Sequence, residues 1–178
     1  MKKISNFLKK SAFFFGGDQP YVPWMERLRS VFGAFLGLVF VLVAAKFLRE
    51  LSGLDEWLMA SLGASALLVF ALPQSPMAQP WAVIAGNTLS ALVGISVVHV
   101  VAEPLMALPL AASSSILGMF FLRCLHPPAA AVALIAVLGG VVHYRYAFFP
   151  VMIDSILLVL AGAIYSNLTG KKYPNRPL

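Results

Sequence analysis

Arg123-Cys124-Leu125-His126-Pro127-Pro128 is wedged between one apolar stretch that ends at Leu122 and another that runs on to Val142. A histidine followed by two prolines cannot lie in mid-helix. The second proline lacks a backbone donor and the first bars His126 from the α region, yet both are tolerated where a helix begins. The spacing predicts a helix start at Pro127 or Pro128, with His126 and the orphan amides of the first turn at its mouth. Inside a membrane, unsatisfied backbone at such a mouth must face protein or a water-filled cavity, because lipid offers no partner. A mouth of this kind marks a binding site or a pathway.

The setting is a membrane. Of 178 residues, 60% are hydrophobic and 11% charged, and mean hydropathy is +0.87. A soluble domain of this length has no room to bury so much apolar surface. The net charge of +6 is concentrated at the ends, with Lys2, Lys3, Lys9, Lys10, Arg27 and Arg29 before the first apolar segment and Lys171, Lys172 and Arg176 after the last. The positive-inside tendency then places both termini in the cytoplasm and requires an even number of crossings. The basic excess reads as topology and contact with the lipid bilayer. It is not a nucleic-acid surface, since no aromatics interleave it. Cys124 is the single cysteine, which excludes an intrachain disulfide and argues against a metal site. Lysines interrupt the first ten residues, so the N-terminus is not a signal peptide. Ile4, Phe7 and Leu8 suggest a short interfacial helix there, with a frayed tail as the alternative.

Six apolar segments can be read: Ser30 to Leu48, Trp57 to Leu72, Trp81 to Ala102, Pro104 to Leu122, Pro127 to Val142 and Phe148 to Leu168. A charge-free, proline-rich linker, Pro73 to Pro80, joins the second to the third. The expected fold is an all-α polytopic transmembrane helix bundle, with four long spans plus two short helices that either cross or re-enter. The short pair, at 16 residues each, reach roughly 24 Å against a hydrocarbon core of about 30 Å. The domain division is 1–29 as a cytoplasmic N-terminal segment, 30–170 as one transmembrane domain, and 171–178 as a short basic tail. The order long-short-long, long-short-long suggests two halves, as in many transporters. Gly33 and Gly37 form a GxxxG, and Ala82, Gly86, Ser90 and Gly94 make a small-residue stripe. Both let helices approach closely, and the first also suggests a homo-oligomer.

These residues together resemble the HPP family of integral membrane proteins. The likeness rests on Leu125-His126-Pro127-Pro128-Ala129-Ala130-Ala131-Val132-Ala133-Leu134, which is similar to the family signature LHPPAGATAL. It rests also on Gly63-Ala64-Ser65-Ala66-Leu67-Leu68-Val69-Phe70, on Pro73, Ser75-Pro76 and Ala78-Gln79-Pro80, and on Asn87-Thr88-Leu89-Ser90-Ala91-Leu92-Val93-Gly94. Ala130 and Val132 replace the Gly and Thr of the signature. The resemblance implies a membrane protein of four spans, and relatives in chloroplasts and cyanobacteria are implicated in nitrite transport. Some bacterial members carry a nucleotide-sensing CBS domain after the membrane part. None is expected here, nor any cofactor.

The function expected is a permease or channel for a small inorganic anion, nitrite foremost, and not an enzyme. Helix N-termini hold anions without a full counter-charge, and two are candidates, near Leu62-Gly63 and at His126-Pro127-Pro128. The expected substrate-binding set is His126, Pro127, Pro128, Gly63, Ser65, Asn87 and Arg123. His126 either supplies a donor or proton or simply caps its helix. Arg123 either attracts the anion or marks topology. Asp154, inside the sixth segment, is a proton relay or a structural partner of Arg145 or His143. Two other classes compete. One is a non-transporting assembly or regulatory subunit. The other is an intramembrane serine hydrolase, because Gly63-Ala64-Ser65-Ala66 is similar to the serine motif of rhomboid proteases, with Ala66 where that motif has glycine.

Overall fold

A computed structural model describes residues 21–52 and 61–175. The proposed interfacial helix in the first fifteen residues, and the start of the second apolar segment at Trp57, lie outside them. Among the described residues the chain forms six α-helices: α1 (Trp24–Ser52), α2 (Leu62–Ala71), α3 (Pro80–Val100), α4 (Pro104–Phe121), α5 (Pro127–Leu138) and α6 (Ile153–Leu168). A 3-10 turn, Pro76–Ala78, precedes α3, and a π-type turn, Ala147–Met152, leads into α6. Among the described residues four stretches are long and apolar enough to cross a membrane: Trp24–Leu48, Pro80–Val100, Pro104–Phe121 and Ala147–Leu168. The other two helices are short, as the segment lengths predict.

Element ends follow local chemistry. α1 begins at Trp24, six residues before the first apolar segment was expected to start, because charge does not stop a helix. Glu26 sits in its first turn, where a carboxylate suits the dipole, and pairs with Arg29 at 3.1 Å. α3, α4 and α5 all start on proline. α5 stops at Leu138, short of Val142, because Gly140 adopts φ +58°. The amides of Gly140 and Val141 then bond back to Val137 and Ala136 in a Schellman closure. Gly170, at φ +76°, closes α6 in the same way through Lys171 N and Ser166 O. The sixth segment is broken at Phe149, which is extended (φ −137°, ψ 118°). Pro150 follows it and disfavours the α region at that position.

Hydrogen bonds, ion pairs and ring contacts sort the helix ends onto two sides. On one, the tail side, Arg29 reaches the Phe70 carbonyl and the Thr169 hydroxyl, and Lys171 pairs with Glu26 at 3.0 Å. Trp81 donates to the Leu122 carbonyl, and His126 meets Met77. On the far side, Tyr144 stacks on His99 and meets Ser96. α1, α3 and α5 therefore run away from the tail side, and α2, α4 and α6 run toward it. The chain is long-short-long twice, and the second triplet runs opposite to the first.

Small residues set the packing. Gly33 and Gly37 do not form an outward face. Phe70 of α2 and Tyr165 of α6 fill the space where their Cβ atoms would stand, and the two rings meet edge to face at 5.9 Å. The GxxxG is thus used inside the molecule and lends no support to self-association. The α3 stripe seats α5: a Cβ on Gly94 would lie 2.7 Å from the Ala133 carbonyl, and one on Gly86 would lie 2.9 Å from that of Cys124. Ser113 and Ser115 of α4 bond back to carbonyls of their own helix.

Candidate functional site

The two short helices meet at His126 and Ser65. His126 is the N-cap of α5, in extended backbone as the prolines require, and its imidazole is completely buried. Its Nδ1 lies 2.8 Å from the Met77 carbonyl and its Nε2 lies 2.8 Å from Ser65 Oγ. A carbonyl only accepts, so Nδ1 carries the proton. Nε2 of the neutral ring then accepts the Ser65 hydroxyl proton. Gly86, six residues into α3, abuts His126 Cβ. The ring thus lies about 9 Å below the start of α3, at 1.5 Å per residue. The α4–α5 connection descends into the bundle to bring it there, from Leu122 at the level of Trp81 to Cys124, which is fully buried.

The α5 mouth differs from the amide cradle expected of it. Pro127 and Pro128 have no N–H, and the Ala129 amide is 2.9 Å from the His126 carbonyl. Two of the four orphan donors of a helix start are absent and a third is spent, so little is left to hold an anion. α2 is different. Its N-cap is Ser61, which is 6% exposed and whose Oγ has no hydrogen-bond partner among the described residues. With 10 residues α2 spans about 15 Å, so this end lies near mid-bundle.

One layer away, α3 and α6 make a second buried polar contact. Asn87 Nδ2 donates to Ser155 Oγ at 3.0 Å, and Ser155 donates to the Val151 carbonyl at 2.8 Å. Asn87 Oδ1 and the hydroxyl of Ser90, a turn further along α3, are buried without partners among the described residues. Asp154, beside Ser155 in sequence, is 1% exposed. Of the expected set, His126, Ser65, Asn87, Pro128 and Asp154 are interior. Pro127, Arg123 and Gly63 are exposed, and Arg123 occupies the left-handed region at φ +51° in the tail-side loop. Among the described residues nothing lies within 4 Å of a Cβ built on Gly63. Arg123 and Gly63 therefore take no part in the interior contacts.

Residues outside that set prove to hold it. Gln79 Nε2 donates to the Pro73 and Ser75 carbonyls, and its Oε1 accepts the Asn175 amide at 2.8 Å. Tyr173, 1% exposed, donates to the Ala78 carbonyl at 2.7 Å. Burial pushes its phenol above the usual range, which keeps the hydroxyl a donor. The tail therefore straps the linker whose Met77 carbonyl orients His126. The linker's freedom from charge and its Gln79 hint at this, but the strap itself could not be read from the letters.

The match to the family model for the HPP transmembrane region covers residues 19–174. This chain belongs to the HPP family. It is 33% identical over 164 residues to a transmembrane protein of Dictyostelium discoideum, covering 88% of this chain and 58% of that one. A second transmembrane protein of the same organism is 39% identical over 126 residues, covering 66% of this chain and 40% of its own length. The chain thus spans about half the length of these curated relatives. No solved structure matches.

Proposed function

We propose that this HPP protein is a permease for a small inorganic anion, nitrite being the leading candidate. One observation carries the reading. Two short helices from oppositely directed triplets meet in the interior through Ser65 and His126. In transporters built from inverted repeats, interrupted or short helices in corresponding positions form the substrate site. The buried Asp154 and the Asn87–Ser155 contact add polar groups at a depth where such groups are costly and serve function. Five basic residues, Arg27, Arg29, Arg123, Lys171 and Lys172, lie on the tail side. That side is cytoplasmic by the positive-inside tendency, in a bacterial inner membrane. Proteoliposomes holding the purified chain should take up nitrite faster than empty liposomes, and Asn87→Leu should lower the rate. Equal uptake by both preparations for nitrite, nitrate, formate and chloride would overturn the transport reading and leave an assembly or regulatory role.

A second reading draws on the same contact. A serine hydroxyl donating to Nε2, on a histidine oriented through Nδ1, is the arrangement of an activated nucleophile. Both side chains are fully enclosed, so a substrate carbonyl has no approach to the Ser65 hydroxyl. The permease reading is therefore preferred. A fluorophosphonate probe that modifies the wild-type protein but not Ser65→Ala would reverse that preference.

A further inference from the structure

A long apolar groove runs down the outside of the bundle between α1 and α6. Its walls are Leu36, Gly37 and Phe40 on one side and Ala161, Ile164 and Leu168 on the other, around a cavity of about 260 Å³. The two helices are antiparallel, so the groove lies along the bundle axis. From Ala161 to Leu168 it covers roughly 10 Å on the tail side, at 1.5 Å per residue. Ala161, the smallest side chain on the α6 wall, leaves room between Leu36 and Phe40 on one side and Ile164 and Leu168 on the other. Tyr165 forms its back wall near the top and donates to the Arg29 carbonyl at 2.8 Å.

Above the groove the chemistry changes at once. Leu168 leads directly into Thr169, Gly170, Lys171 and Lys172. Arg29 lies against Thr169, and Arg27 is in the same turn of α1. Glu26 is engaged by Arg29 and Lys171, so among the described residues three cations, Arg29, Lys171 and Lys172, stand against one carboxylate at this end.

We propose that the α1–α6 groove is a binding site for one anionic phospholipid. An acyl chain lies along Leu36, Ala161 and Ile164, and the headgroup phosphate lies beside Lys171 and Lys172. A second copy of the chain fits this surface less well, since two identical basic ends would be brought together. The proposal rests on the membrane placement of the bundle and not on transport.

Native mass spectrometry tests it, using the full chain extracted from vesicles of equal phosphatidylglycerol and phosphatidylethanolamine with matched acyl chains. The wild type should retain phosphatidylglycerol preferentially. Lys171→Gln/Lys172→Gln should reduce that preference by about fivefold for each charge removed, taking about 1 kcal/mol per cation near a lipid surface. Ala161→Phe should fill the groove and abolish retention of both lipids. The charge variant alters exposed or half-exposed residues beyond the helix, so it is readable even where Ala161→Phe folds poorly. Equal retention of the two lipids by the wild type would overturn the proposal. So would a dimer captured by cross-linking Ile164→Cys, which would assign the groove to a second copy.

Discussion

At the scale of single residues, His126 joins three segments by two hydrogen bonds. Removing it leaves the Ser65 hydroxyl to find another partner in a closed interior, at about 1–3 kcal/mol if it stays unsatisfied, and releases the linker at the part-buried Met77 carbonyl. His126→Ala should therefore be the most destabilising change here. His126→Gln, which can replace one bond, should cost less, and Ser65→Ala should cost only about 1 kcal/mol, the net worth of one hydrogen bond. Thermal unfolding in detergent checks the order, and a His126→Ala protein as stable as the wild type would contradict it. The position of His126 at a helix start is legible from two prolines. Its partner Met77 is not, because the group that accepts is a backbone carbonyl 49 residues away, and no side-chain type marks it.

At the scale of elements, the glycines of α3 act by letting α5 come close. A Cβ at Gly94 would press on the Ala133 carbonyl and Ala136 Cβ, both backbone-anchored, so Gly94→Ala should cost about 1–3 kcal/mol as an overpacked contact. Gly63→Ala meets nothing within 4 Å among the described residues and should be neutral, or stabilising by no more than about 1 kcal/mol through helix propensity. Unfolding midpoints that fail to separate the two variants would deny the stripe its role. Spacing alone showed which α3 residues share a face. It could not show that α5 fills that face, nor that the GxxxG of α1 is occupied by Phe70 and Tyr165, because the filling residues lie on other helices.

At the scale of the whole molecule, the bundle places the Pro73–Pro80 linker and the C-terminal tail on one side and Tyr144 on the other. The linker is only partly buried. Pro73, Ala78 and Gln79 are enclosed, while Gln74, Pro76 and Met77 are exposed at the tail side. Gln74→Cys and Lys172→Cys should therefore react with a membrane-impermeant thiol reagent from the same side, and Tyr144→Cys from the opposite one. The natural Cys124 is fully buried and should stay silent, so no cysteine-free background is needed. Labelling of Gln74→Cys and Lys172→Cys from opposite sides would refute the arrangement.

Composition determined that lipid must solvate this chain. Prolines and glycines determined where α3, α4 and α5 start and where α5 and α6 stop, since these residues act through local backbone sterics and need no partner. Segment lengths determined the long-short-long order, because bilayer thickness is a yardstick external to the fold. Only the tertiary structure decided that the two short helices meet at Ser65 and His126, and that the second triplet runs against the first. It alone decided that the α5 mouth, stripped of two donors by its own prolines, is held by a loop carbonyl in place of a free amide cradle. Those outcomes depend on which distant surfaces close the interior most tightly while leaving the fewest buried polar groups unpaired, and that competition is settled among all the helices at once.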